Sequence, residues 1–201
     1  SKKMPLRSKT SRIALSLVPA LAAIAWPALA EAQIKQPGAH PRYSIELEPH
    51  LIVQHSDDWL AEDEGFGPGL RLTIPLIHDG PIPTINNSLG IGFGMDVAFY
   101  DECQRRPNDD CDARMLWFPV VAQWNFFFTK VVSVFGEAGF GIVHRSADWD
   151  NGCLSDDCDE TDLDLFQPQF FGGGRFLFSD SVGLVVRLGT PYVSIGATFL
   201  L

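Results

Sequence analysis

Apolar side chains recur at every second position over most of the chain after Pro41, and almost nothing there has a helical period. A period of two places these side chains on one face of an extended strand. The clearest segment alternates Leu89, Ile91 and Phe93 with Gly90, Gly92 and Gly94. Eight segments share this pattern, namely 43–54, 66–76, 89–100, 116–126, 132–142, 166–178, 182–188 and 193–201. We therefore predict eight strands and no helix able to cover their apolar faces.

Eight apolar faces can be buried in two ways. If they turned inward, the protein would be a soluble barrel, such as a lipocalin-like carrier. The opposite faces, however, are crowded with Gly, Ala and Ser rather than Lys and Glu, which suits the interior of a narrow barrel. In lipid, only helices and closed barrels satisfy every backbone hydrogen bond, and segments of about nine to eleven residues match a tilted membrane strand. The sequence thus predicts an all-β, eight-stranded, antiparallel, up-and-down transmembrane β-barrel over residues 43–201.

The connections between the segments differ in length. Long acidic links at 56–65, 101–113 and 146–162 alternate with the tight links "FFTK" and "FSDS". Long loops at one end and short turns at the other are typical of outer-membrane barrels. The link at 77–88 is long for the short-turn end.

The first 32 residues have the three parts of a secretory signal peptide. A basic start (Lys2 to Arg12) precedes the apolar run Ile13 to Ala25, and small residues follow at 28–32. The alternative, a membrane anchor, falls short of the roughly 20 apolar residues that a spanning helix needs. We predict a signal peptide at 1–32 and a short N-terminal linker at 33–42.

Removal of residues 1–32 leaves 10 Lys and Arg against 24 Asp and Glu. This balance argues against nucleic acid as a partner, because nucleic-acid binding needs clustered basic residues. The three long links carry most of the remaining acids and only Arg105 and Arg106 as bases.

The four cysteines all fall in or beside the long links. In an exported chain Cys103, Cys111, Cys153 and Cys158 are expected to form two disulfides. Local pairing, 103 with 111 and 153 with 158, is the simplest of three connectivities. A zinc site is disfavoured because there is no CxxC and no histidine nearby to complete one.

The third long link has some features of a calcium loop. Counted from Asp148, Gly152 is fifth and Asp159 twelfth, whereas an EF-hand needs Gly sixth and Glu twelfth. We therefore expect no specific cofactor, and a solvated loop held by Cys153 and Cys158. Loosely bound calcium or magnesium is left open, and its candidate ligands are Asp148, Asp150, Asp156 and Asp157.

Charged residues also occupy the inward-facing positions of the strands. Because buried charges are costly unless paired, and an eight-stranded barrel is just wide enough for its side chains, we expect ion pairs that plug the lumen. The alternative is a narrow polar channel or a small-ligand pocket. The residues concerned are Glu46, Glu48, Arg71, Asp96, Glu137, Arg175 and Arg187.

In architecture, residues 43–201 resemble the small eight-stranded outer-membrane barrels of the OmpA, OmpX and OmpW type. Such barrels usually end in an aromatic residue that the assembly machinery reads; here Phe199 is aromatic, but Leu201 is the last residue. The resemblance implies the outer membrane of a Gram-negative bacterium, reached by the signal peptide. It also implies contact with outer-membrane lipid, lipopolysaccharide and the assembly machinery.

The same resemblance offers two alternatives to a non-enzymatic structural or surface-interaction role. One is an OmpW-like conduit for small apolar ligands. The other is a lipid A deacylase, since those barrels have a His-x-Ser pair facing lipid that is similar to His144 and Ser146. The Asn that typically follows the serine is Ala147 here, so we expect no enzymatic activity.

Overall fold

A computed structural model of the protein describes residues 33–55, 64–100, 111–149 and 159–201. A short 3-10 turn at Gln33–Lys35 precedes eight strands. The strands are β1 (Glu46–His55), β2 (Glu64–Ile77), β3 (Asn87–Tyr100), β4 (Cys111–Phe127), β5 (Val132–Trp149), β6 (Asp159–Leu177), β7 (Val182–Thr190) and β8 (Val193–Leu200). Within these ranges no helix is long and apolar enough to span a membrane.

The strands form one closed sheet. Each pairs antiparallel with its neighbours in sequence, and β1 pairs with β8 from Glu46↔Leu200 to Val53↔Val193 to close the barrel. The predicted eight-stranded up-and-down barrel is therefore confirmed. Both ends of the barrel chain lie at the end that carries the short turns, which we call the turn end; the opposite end is the loop end.

Alternation along the strands separates an apolar outer surface from a polar lumen. Outward side chains such as Phe66, Phe99 and Phe170 are more than half exposed, whereas inward Arg71 and Asp96 have no exposed surface. A soluble lipocalin-like barrel would need the reverse arrangement, with the apolar faces inside. That alternative is wrong because the outward positions of all eight strands present apolar side chains.

Glycines allow close approach of the backbones inside the barrel. A Cβ on Gly67 would lie 1.9 Å from the carbonyl oxygen of Val97, and one on Gly139 would lie 2.1 Å from that of Val120. No side chain fits at these distances, which explains why glycine is frequent on the inward faces.

Strand lengths differ around the barrel more than the sequence pattern indicates. β4, β5 and β6 have 17, 18 and 19 residues, whereas β7 and β8 have 9 and 8. The three long strands run into stretches that the sequence assigns to loops, because backbone pairing continues from Trp117↔Val143 to Cys111↔Trp149 although the side chains become charged.

One edge of β6 is left open by this difference. The first pair between β6 and β7 is Phe170↔Thr190, so residues 159–169 have no partner strand on that side within the described structure. We call these residues the β6 edge. At about 3.3 Å per residue it is roughly 30–35 Å long.

Residues 33–42, the predicted short linker, pack against the turn end, and we call them the N-terminal strap. The amide of Gln33 donates to Phe128 O at 2.6 Å, and the amide of Asn86 donates to Ile34 O at 2.7 Å. Gln33 and His40 are both buried. The predicted signal peptide at 1–32 lies outside the described residues.

Candidate functional site

Seven charged side chains from six strands meet in the centre of the lumen. Each is at most 4 % exposed, so neither water nor salt screens them appreciably. They are Glu46 and Glu48 of β1, Arg71 of β2, Asp96 of β3, Glu137 of β5, Arg175 of β6 and Arg187 of β7.

Glu137 is the hub of this charged centre. Its Oε2 lies 3.0 Å from Nη1 of Arg71 and 2.9 Å from Nε of Arg187. Its Oε1 accepts from Nη2 of Arg187 at 3.1 Å and from Nε2 of Gln123 at 2.9 Å. One carboxylate thus joins two guanidinium groups that come from opposite parts of the sequence.

Glu46 and Glu48 extend the network towards the turn end. Glu48 Oε2 lies 2.6 Å from Nη2 of Arg187, and Glu48 Oε1 lies 3.7 Å from Nη2 of Arg175. Glu46 forms an ion pair with Arg175 and accepts a hydrogen bond from Thr198 Oγ1 at 2.7 Å. Charge-assisted contacts of this kind are the strong ones, and they hold β1 to β6 and β7 across the lumen.

Asp96 is held by groups from three directions. Its Oδ1 lies 2.8 Å from Nε2 of His50, and its Oδ2 accepts from the hydroxyl of Tyr192. That hydroxyl in turn accepts from Nη2 of Arg71 at 2.9 Å. Tyr192 lies between β7 and β8, so the connection at the loop end is fastened to the charged centre.

His50 completes the charge balance of the lumen. Its Nδ1 lies 2.9 Å from Glu48 O, which can only accept, so Nδ1 carries a hydrogen. One further proton must lie between Nε2 and Asp96, because two acceptors would otherwise face each other at 2.8 Å. The three guanidinium groups and this shared proton then balance the four carboxylates.

Aromatic rings pack against the guanidinium groups, with Phe171 towards the loop end and Phe135 towards the turn end of the charged centre. Arg71 lies over Phe171 at 5.8 Å and Arg187 over Phe135 at 5.1 Å. Beyond Phe171, Trp117 is 2 % exposed and donates from Nε1 to Gln54 Oε1 at 3.0 Å. The lumen therefore has a charged centre and an apolar layer towards the loop end.

The sequence analysis does not single out some residues that belong to this network, among them His50, Gln123, Thr198 and Tyr192. The first three occupy inward positions of strands, and this position was the signal that could have identified them. Tyr192 lies between two strands, where the alternation of residues does not predict whether a side chain points into the lumen.

Ser146, one of the two weak catalytic candidates, forms a hydrogen bond with Arg114 of β4. Ser146 is 7 % exposed, and its hydroxyl accepts a hydrogen bond from Arg114 Nε at 2.8 Å. In the part of the chain that the structure describes, no hydrogen bond joins it to His144.

The predicted disulfides and the metal candidates fall on other parts of the chain. Cys103, Cys153, Cys158, Asp150, Asp156 and Asp157 lie outside the described residues. Cys111 and Asp148 contribute backbone to β4 and β5. Among the described side chains, no group of three or more His, Cys, Asp or Glu could hold a metal ion.

The fold is similar to that of solved outer-membrane barrels. One is Ail, the attachment invasion locus protein of Yersinia pestis, which was solved in complex with the heparin analogue sucrose octasulfate. Its sequence is 14 % identical to this chain. The match covers 79 % of this chain and 97 % of that one, with a TM-score of 0.51. A second Ail structure gives 14 % identity over the same shares and a TM-score of 0.48. Neisserial surface protein A gives 11 % identity over 78 % and 96 % of the two chains and a TM-score of 0.42. The sequence matches no protein-family model and no curated protein.

Proposed function

We propose that this protein is a non-enzymatic barrel of the Gram-negative outer membrane with a sealed lumen and a role in surface interaction. The apolar outer surface supports the location. A nine-residue strand such as β7, tilted by about 40°, climbs roughly 23 Å, close to the ~25 Å apolar band of outer-membrane barrels. The partners of this surface are outer-membrane lipid and lipopolysaccharide, after insertion by the assembly machinery.

The packed lumen supports the absence of conduction. A permeating ion would have to separate carboxylates and guanidinium groups that are buried and 2.6–3.1 Å apart, and then pass the apolar layer around Trp117. Reconstituted in planar bilayers, the protein should show no steady single-channel current. A steady current would instead favour the narrow channel, and uptake of apolar solutes into loaded vesicles would favour the OmpW-like conduit.

The β6 edge is the observation that carries the surface-interaction role. β4, β5 and β6 continue beyond the height at which β7 and β8 end, and residues 159–169 present backbone hydrogen-bonding groups without a partner strand in the described structure. Exposed edges of this kind accept an added strand from another chain.

Side chains along the β6 edge indicate the chemistry of the partner. Asp162 and Asp164 alternate with Leu163 and Leu165, which are 55 % and 64 % exposed. An added strand that alternates basic and apolar residues would match both faces. The polyanion bound by Ail would instead meet like charges here, because the long links of this chain are acidic.

A peptide titration tests this role. The protein in lipid nanodiscs is titrated with a ten-residue peptide of alternating lysine and valine, with its glutamate–valine counterpart, and with sucrose octasulfate. We expect binding of the lysine peptide alone, weakened three- to tenfold in Asp162→Asn/Asp164→Asn. The matched control is Asp79→Asn/Asp180→Asn at the turn end, which should bind as the wild type does. Equal loss in both double variants, or binding of the polyanion, would contradict the proposal.

A further inference from the structure

The N-terminal strap has two buried side chains, Gln33 at its start and His40 near its end, and His40 is the one that can take up a proton. His40 is 5 % exposed, and its ring stacks on Phe127 with centroids 4.3 Å apart and planes 9° apart. Its Nδ1 lies 2.6 Å from Oδ1 of Asn86, which has no exposed surface. The ring is therefore enclosed between β4 and the connection that precedes β3.

The remaining attachments of the strap are few. Two backbone hydrogen bonds join it to Phe128 and Asn86, and Arg42 lies 3.5 Å from Asp79 with both side chains 65 % exposed. An exposed ion pair contributes little to stability. Gly38, with φ of +73°, turns the chain so that His40 returns to the rim. Gln33, the other buried side chain of the strap, does not titrate, so the pH dependence of docking depends on the enclosure of His40.

His40 can be enclosed in this way only when it is neutral. Nδ1 carries the ring hydrogen because it faces a carbonyl oxygen, which leaves Nε2 as the position that a second proton would take. Nε2 is buried and has no hydrogen-bond partner within the described residues. A proton there would create a buried cation without an acceptor, which is strongly unfavourable.

The charged groups around His40 do not remove this cost. Asp79 favours the protonated ring, whereas Arg42 and His78 disfavour it, and Phe127, on which the ring stacks at the end of β4, carries no charge. Desolvation by burial is the largest influence, and it lowers the pKa of His40 below the ordinary value of 6.5 in spite of the hydrogen bond to Asn86 and the Asp79 carboxylate, which raise it.

We propose that the N-terminal strap is an acid-released latch, in which protonation of His40 detaches residues 33–42 from Phe127 and Asn86 and uncovers the turn end of the barrel. The released form binds more protons than the docked form, so docking strengthens as pH rises and weakens as pH falls below about 6.5. The docking equilibrium changes at most tenfold per pH unit. Below the docked pKa both forms are protonated and docking changes no further.

Amide hydrogen exchange of the protein in nanodiscs tests the latch. The reporter is the Asn86 amide, which donates to Ile34 O only when the strap is docked. After correction for the intrinsic exchange rate, its protection should fall several-fold, and at most about eightfold, between pH 7.0 and pH 5.5. Amides in the ladder between β4 and β5 should keep theirs.

Two variants separate His40 from other titrating groups. His40→Phe keeps the stacked ring and removes its proton, so the strap should stay docked at both pH values. His78→Gln is the matched control and should respond to pH as the wild type does. Unchanged protection in the wild type, a wild-type response in His40→Phe, or loss of protection throughout the barrel at pH 5.5 would each overturn the proposal. If the strap of His40→Phe does not dock at either pH, His40→Gln replaces it, because glutamine retains an amide donor for Asn86. The strap of His40→Gln should then stay docked at both pH values, and a wild-type response to pH would overturn the proposal.

Discussion

Glu137→Gln is the substitution that examines the charged lumen most directly. It preserves the size of the side chain and removes only the charge that faces Arg71 Nη1 at 3.0 Å and Arg187 Nε at 2.9 Å. Arg187 keeps Glu48, but the nearest remaining carboxylate to Arg71 is Asp96, at 3.6 Å. The lumen is left with one uncompensated buried positive charge. Loss of one partner from a buried ion pair costs about 3–5 kcal/mol, and we expect that loss in the free energy of unfolding.

The assay is urea unfolding of the protein folded into lipid vesicles, followed by tryptophan fluorescence. Asp180→Asn, in an exposed turn, serves as the charge-neutralising control and should change stability by less than about 0.5 kcal/mol. Glu137→Gln/Arg71→Gln restores the charge balance, so its loss should be smaller than the sum of the two single losses. A loss below about 1 kcal/mol for Glu137→Gln would refute the reasoning, because removing one partner costs so little only when the remaining charge is hydrated in the lumen.

Two further substitutions test the outer surface and the close approach of the strands. Ile195→Arg, at an outward position that is 51 % exposed and pairs with Val186 in the middle of β7, should destabilise the protein in lipid vesicles by about 2–4 kcal/mol, and Ile195→Leu should cost much less; equal stability of the two variants would show that this face does not contact lipid. Gly139→Val should reduce the yield of folded barrel because its Cβ would lie 2.1 Å from a carbonyl oxygen, whereas Gly136→Val, whose Cβ would meet nothing within 4 Å, should fold normally; equal yields would contradict the close approach.

The fold could be predicted because apolar and polar residues alternate along the chain with a period of two, which is also the period of side-chain direction in a strand. Between Leu89 and Phe99 each outward residue is apolar and each inward one is small or charged. This pattern predicts both that the segment is a strand and which of its faces points outward. The inward glycines decided between a membrane barrel and a soluble one. They are needed where backbones approach as closely as they do at Gly67.

Other features could not be read in this way. In the loop-side parts of β4 to β6, charged residues such as Arg114, Arg145 and Asp162 interrupt the alternation of apolar and small residues, while the backbone pairing continues. The strap, "QIKQPGAHPR", has no period, and its position depends on the ring of Phe127, which is distant in sequence. The alternation along β5 places Glu137 in the lumen. Its partners Arg187 and Arg71 are 50 and 66 residues away in sequence, so the contacts depend on strand register, which the sequence pattern does not give.

The central claim is that the chain is a closed barrel with its apolar face in the outer membrane. Electrophoresis of the membrane-extracted protein, unheated and boiled in detergent, tests it most directly. The protein should fractionate with the outer membrane, and its mobility should change on boiling, because a closed hydrogen-bonded barrel resists the detergent until heated. A protein that is recovered in the soluble periplasmic fraction, with the same mobility before and after boiling, would contradict it.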